Sequence, residues 1–131
     1  MTVLAAGETV VFSHKRHAPL KMDCVACHAT AAVAERAGFP AAVKCLACHP
    51  EKADALRSPF PSRRVYKLAD FVIFSHARHI AAGTNCQTCH GPVQERDLLR
   101  AEVSHSMKAC MGCHKVRRAS LTCTACHELS Q

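Results

Sequence analysis

The ten cysteines of this chain fall into five pairs of one spacing, and a histidine follows each pair at once: Cys24, Cys27, His28; Cys45, Cys48, His49; Cys86, Cys89, His90; Cys110, Cys113, His114; and Cys123, Cys126, His127. C-x-x-C-H is the pattern that attaches a c-type haem. Two thiols add across the two vinyl groups, and the adjacent imidazole turns back to bind the iron from one face. The two-residue spacer sets the sulfurs the right distance apart, and the histidine must follow directly to lie beneath the iron. Other chemistries of paired cysteines leave part of the pattern unused. A four-cysteine zinc site consumes pairs two at a time, so five pairs leave one over, and zinc has no reason to demand a histidine after each. Thioredoxin-like pairs need a strand-rich domain around them. A disulfide framework gives the five histidines no role. The pattern predicts five haem c groups, each with its iron.

Composition agrees that something besides side chains must fill the interior. Apolar residues make up 49% of the 131 positions, but 22 of them are Ala and 10 are Cys. Leu, Ile, Val and Phe together number 27, with no Trp and one Tyr, close to the floor for a self-sufficient core. No run approaches the roughly 20 apolar residues of a transmembrane segment, and Met1 to Val10 lacks the basic and long apolar regions of a signal peptide.

Five further histidines remain: His14, His17, His76, His79 and His105. Five haems with one protein ligand each leave five iron positions to fill, and five imidazoles are available. Four of them lie in two matching turns, Phe12-Ser13-His14-Lys15-Arg16-His17 and Phe74-Ser75-His76-Ala77-Arg78-His79. Residues three apart on a helical turn project from nearly one face, so each turn can serve two neighbouring irons. Bis-histidine ligation follows, with the spare five as distal ligands. Met22, Met107 and Met111 are alternative axial ligands that would raise the potential, but with enough imidazoles present they read as gap-filling residues.

The two turns belong to a longer repeat. A shift of 62 residues places Val10–His28 on Val72–His90 without a gap, with 9 of 19 positions identical. The next C-x-x-C-H follows after 16 residues in the first copy and 19 in the second. The second copy alone carries both His105 and the motif at Cys123, so an extra haem and an extra imidazole occur together.

The order His-x-x-His, C-x-x-C-H, single His, C-x-x-C-H, C-x-x-C-H over residues 74 to 127 resembles the class III multihaem cytochromes c, especially the cytochrome c7 group related to cytochrome c3. The resemblance implies a fold of mostly loops and short α-helices wrapped around haems, with minimal β. It also implies the axial pairs: His76 with His90, His79 with His114 and His105 with His127. By the repeat, His14 pairs with His28 and His17 with His49. The chain then reads as a tandem, a two-haem truncated module over residues 1–58 and a three-haem module over 59–131. Covalent haem c is assembled outside the cytoplasmic membrane, so the resemblance implies an exported protein, periplasmic or extracellular, whose leader is absent from this chain.

Local signals refine this picture. The stretch from Ser58 to Arg64 is Pro-punctuated and basic, the expected joint. Short helices are predicted at 29–37, 50–57 and 92–103. Short strands are predicted at Thr9–Phe12 and Phe71–Phe74, leading into the ligand turns.

The polypeptide carries a formal net charge of +7, which alone suggests an anionic partner. Each haem adds about −2 from its propionates and about +1 from a ferric core, so five bring the total to about +2 oxidised and about −3 reduced. Most Lys and Arg then serve as propionate partners. Arg63-Arg64 and Arg117-Arg118 are candidates for docking an acidic redox partner protein, and nothing suggests nucleic-acid binding. With both axial positions filled by protein nitrogen, no iron offers a substrate site. The expectation is a low-potential electron carrier, not an enzyme, with self-association through exposed haem edges as a further mode. The alternatives are a subunit of a cytochrome filament or membrane redox complex, and a reductase with one open iron.

Overall fold

The computed structural model describes residues 11–57 and 64–129. Seven short α-helices follow in order: α1 (His14–His17), α2 (Cys24–Cys27), α3 (Ala42–Leu46), α4 (His76–Ala81), α5 (Cys86–His90), α6 (Met107–Val116) and α7 (Cys123–Cys126). Single 3-10 turns lie between them at Ala18–Leu20, Ala29–Ala32, Pro50–Lys52 and Val93–Glu95. There is no strand among the described residues, only an isolated antiparallel bridge between Val72 and His127.

Most of the helices are no longer than the motif they carry. Each begins at a residue with extended backbone, and three of the serines that close these starts follow from sequence: Ser13 accepts from the Arg16 N–H at 3.1 Å, Ser75 from Arg78 at 3.3 Å and Ser106 from Ala109 at 3.3 Å. A capping hydroxyl satisfies one of the free N–H groups at a helix start.

Several local expectations are corrected. The segments predicted as helices at 29–37, 50–57 and 92–103 form one 3-10 turn each and then run as turns and irregular chain. Apart from Ala31 and Leu56 their apolar positions stay partly or largely exposed, so little extends the helix beyond its nucleus. The predicted strand at Phe71–Phe74 is reduced to the Val72 bridge, flanked by Ile73 N–H to Cys126 O at 2.8 Å and Glu128 N–H to Phe71 O at 3.1 Å. Of the strand at Thr9–Phe12, the first two residues lie outside the described residues, and Val11 and Phe12 are irregular. The joint at 58–64 likewise lies outside them, apart from Arg64. The longest helix, α6, was not predicted, and it carries a complete Cys-x-x-Cys-His motif.

Protein side chains make almost no core. Among the described residues only Ala31 and Leu56 are buried apolar residues, while Val33, Val43, Leu98 and Val116 are each more than 70% exposed.

Candidate metal centres

Four of the five predicted histidine pairs are brought together, two of them with their rings close to parallel. Ring centres lie 6.4 Å apart for His14 and His28, 6.1 Å for His17 and His49, 6.1 Å for His76 and His90, and 6.0 Å for His79 and His114. Two imidazoles sharing one metal through Nε2, each at about 2 Å, stand with their centres about 6 Å apart. Directly stacked rings approach more closely, as Phe12 does to His17 at 4.5 Å. The spacing leaves room for one atom between the rings of each pair, and these residues fit haem iron.

The ring orientation supports the same fit. The Nδ1 of His17 donates to Ser13 O at 2.8 Å, His28 to Gly38 O at 2.8 Å, His76 to Glu35 O at 2.8 Å, His79 to Ser75 O at 2.7 Å and His114 to Ser120 O at 2.7 Å. His49 Nδ1 donates more loosely to the Glu51 carboxylate at 3.3 Å. A carbonyl only accepts, so the proton sits on Nδ1 and Nε2 is left as the ligating nitrogen. Burial, with His28 and His17 nearby, holds His14 below the ordinary imidazole value, and burial with His105, His76 and His28 nearby does the same for His90. Both shifts favour the neutral ring a metal requires.

Phe12 and Phe74 build the two ligand turns identically. Each sits edge-on to the first histidine, at 4.9 Å in both copies, and stacks on the second, at 4.5 and 4.4 Å. In front of His28, a Cβ on Gly38 would stand 2.9 Å from Thr30 Oγ1. Glycine therefore lets the backbone come close enough for its carbonyl to reach the ring.

The fifth predicted pair is not assembled in this way. His105 stacks on Tyr66 at 4.1 Å, lies 6.1 Å from His90, and hydrogen-bonds Cys89 O through Nε2 at 2.7 Å, engaging the nitrogen that would face an iron. His127 rests 5.6 Å from Phe71, with its Nδ1 buried and without a hydrogen-bond partner. Tyr66 escaped the sequence reading. Its hydroxyl accepts from the Glu102 and Val103 N–H groups at 3.0 and 3.1 Å, tying it to the segment before His105, and its being the chain's one tyrosine was the available signal.

The ten thiols are all unpaired, half of them exposed and half partly buried. Burial pushes the Cys24 and Cys89 thiols up, helped by neighbouring cysteines, Cys86 beside Cys24 and Cys113, Cys110 and Cys86 around Cys89. Attachment sites from different motifs thus lie close together. Of the docking arginines, Arg117 is engaged within the fold, donating to Ala82 O and to Thr84 Oγ1.

Comparison with known proteins agrees in both halves. Residues 72–128 match the family described as cytochrome c7 and related cytochrome c, and residues 1–62 match the class III cytochrome C family. The chain belongs to the class III multihaem cytochrome c family. A high-molecular-weight cytochrome c from Nitratidesulfovibrio vulgaris is 30% identical over 73 residues, covering 43% of this chain and 13% of that protein. The chain thus matches only a small part of that relative's length. Multihaem cytochromes c of this family bind haem c and transfer electrons. Class III cytochromes are typically periplasmic, and no helix among the described residues is long and apolar enough to cross a membrane.

Proposed function

We propose that this cytochrome is a pentahaem, low-potential electron carrier in which every iron is held by two histidines. The observation that carries the reading is the four histidine pairs about 6 Å apart, five of their eight rings anchored at Nδ1 by backbone carbonyls. Haem c supplies a one-electron couple when bound. The thiols of the five Cys-x-x-Cys turns anchor it, with His28, His49, His90, His114 and His127 as proximal ligands. His14, His17, His76 and His79 close the opposite faces of four. The fifth takes His105 opposite His127, which requires the His105 ring to release the Cys89 carbonyl. Imidazole donates more strongly to ferric iron than the thioether of methionine, so the potentials are low. Filled axial positions leave no place for a substrate on the metal, which favours carriage over catalysis.

The two repeat copies act as modules, a two-haem unit up to residue 58 and a three-haem unit from residue 59, and the protein works in the periplasm or at the cell exterior with redox proteins as partners. The test is the ferric electron paramagnetic resonance spectrum of holoprotein whose mass corresponds to five haems, recorded over a dilution series. Low-spin signals at every concentration are expected. A high-spin fraction persisting at all concentrations would overturn full bis-histidine ligation. One that appears only on dilution would mean a ligand borrowed from a second molecule, and a filament subunit in place of a free carrier.

A further inference from the structure

The two copies touch through the same groups in both directions. The N–H of Ala77, in the second ligand turn, donates to Ala34 O of the first copy at 3.1 Å. The N–H of Lys15, in the first ligand turn, donates to Arg96 O of the second copy at 3.1 Å. Adding the 62-residue shift of the repeat to Lys15 gives Ala77, and adding it to Ala34 gives Arg96, so the two hydrogen bonds are one contact made twice. The packing repeats it: α1 lies on the 3-10 turn at Val93–Glu95, and α4 on the one at Ala29–Ala32.

Around each of these bonds the other copy reaches into the ligand turn itself. Glu35 O receives both the backbone N–H of His76, at 3.1 Å, and its Nδ1–H, at 2.8 Å. In the opposite direction the Ser13 hydroxyl donates to Asp97 Oδ1 at 2.7 Å, and Ser13 is only 7% exposed. Asp97 also stands 3.9 Å from Lys15 and 4.0 Å from Arg16. When residue i of one unit touches j of the other and j touches i in return, the interface is the isologous kind that joins identical subunits.

We infer that the two copies close on one another through a reciprocal, two-fold-like interface, in which the turn after each copy's first haem motif holds the other copy's first ligand turn. The partner each module is built to receive is a second copy of itself, supplied here by the same chain. The inference rests on the two-module, five-haem reading above and adds how the modules are joined.

The test is a double-mutant cycle on the full-length holoprotein with Ser13→Ala, Asp97→Ala and both together, reading the thermal midpoint from the Soret circular dichroism. Each single change is expected to lower the midpoint, and the double by less than the sum of the two, because the two residues act on each other. Asp97→Asn, which keeps an acceptor for the Ser13 hydroxyl, is expected to restore most of the loss. In the ferric spectrum, Asp97→Ala is expected to shift the low-spin signal that disappears in His14→Ala, a signal belonging to the other copy. Additive midpoint losses, with that signal unmoved, would overturn the interface. A mass short of five haems would overturn the five-haem reading and not the interface, which the cycle decides separately.

Discussion

The ligand turns at Phe12–His17 and Phe74–His79 are nearly superposable, while what surrounds them is not. The capping serines share one backbone conformation, φ −120° and ψ 117° at Ser13 against φ −128° and ψ 115° at Ser75. The first histidine pair is close to parallel in both, 11° for His14 with His28 and 9° for His76 with His90. The second pair diverges, 70° for His17 with His49 and 47° for His79 with His114. The first pair spans chain that repeats without a gap. The second closes over linkers of 16 and 19 residues, and its proximal histidine lies beyond the end of α3 in one copy, at the start of the Pro50–Lys52 turn, and within α6 in the other. Local sequence fixes a ligand's turn, and the length of chain between motifs fixes the angle at which the next ring arrives.

The largest expected effect removes the comparison altogether. Protein produced without haem attachment should lose nearly all helical signal in far-ultraviolet circular dichroism, because the two buried apolar side chains among the described residues cannot offset the entropy of ordering the chain. A native-like spectrum would show that the polypeptide holds itself together. Next in size, His14→Met and His76→Met, made separately, should each raise one haem's potential. The rise should be on the order of 0.1 V, within the roughly 0.8 V over which axial ligands act, and near equality of the two shifts in a redox titration would extend the likeness of the turns to their chemistry. His105→Ala should convert one low-spin haem to high spin, and an unchanged spectrum would remove His105 from the ligand set.

Smaller changes separate the copies further. Ser75→Ala loses a helix cap and should cost about 1 kcal/mol, whereas Ser13→Ala also loses the Asp97 contact and should cost about 2 kcal/mol. Equal costs in denaturant melts would make the two sites equivalent. The smallest effect involves Glu102, held below the ordinary carboxylate value by the Arg96 guanidinium. A carboxylate with a depressed folded value stabilises above its unfolded value and loses that contribution as pH falls through the folded one. The stability difference between the wild-type protein and Glu102→Gln should therefore be small at neutral pH and close on acidification.

The attachment motifs, the spare histidines and the repeat were legible because each is a spacing along the chain. The pairings came from the resemblance to the class III cytochromes and from the repeat, and four of the five are the ones that meet. The predicted helices at 29–37, 50–57 and 92–103 failed for a physical reason. Their composition suits a helix, but a helix needs an apolar surface to lie on, and in this molecule little of that surface is protein. The helix α6 went unpredicted because Gly112 and the two cysteines make Met107–Val116 look like a bare haem turn, although Ser106 marked its start. Tyr66 was invisible for another reason: the N–H groups it meets lie 36 and 37 residues away. The reciprocal contacts between the copies were beyond the sequence too, since nothing in Ala34 or Arg96 announces that its carbonyl will be used.

The scarcity of buried apolar side chains among the described residues also bears on how such a molecule comes into being. A chain with so little to collapse has no compact state of its own to hide its cysteines in, so every thiol pair stays within reach of whatever forges the thioether bonds. Order then arrives in a fixed sequence, cofactor first and compaction after. A molecule that misses one attachment is left open at that motif, where a protease can recognise it as unfinished.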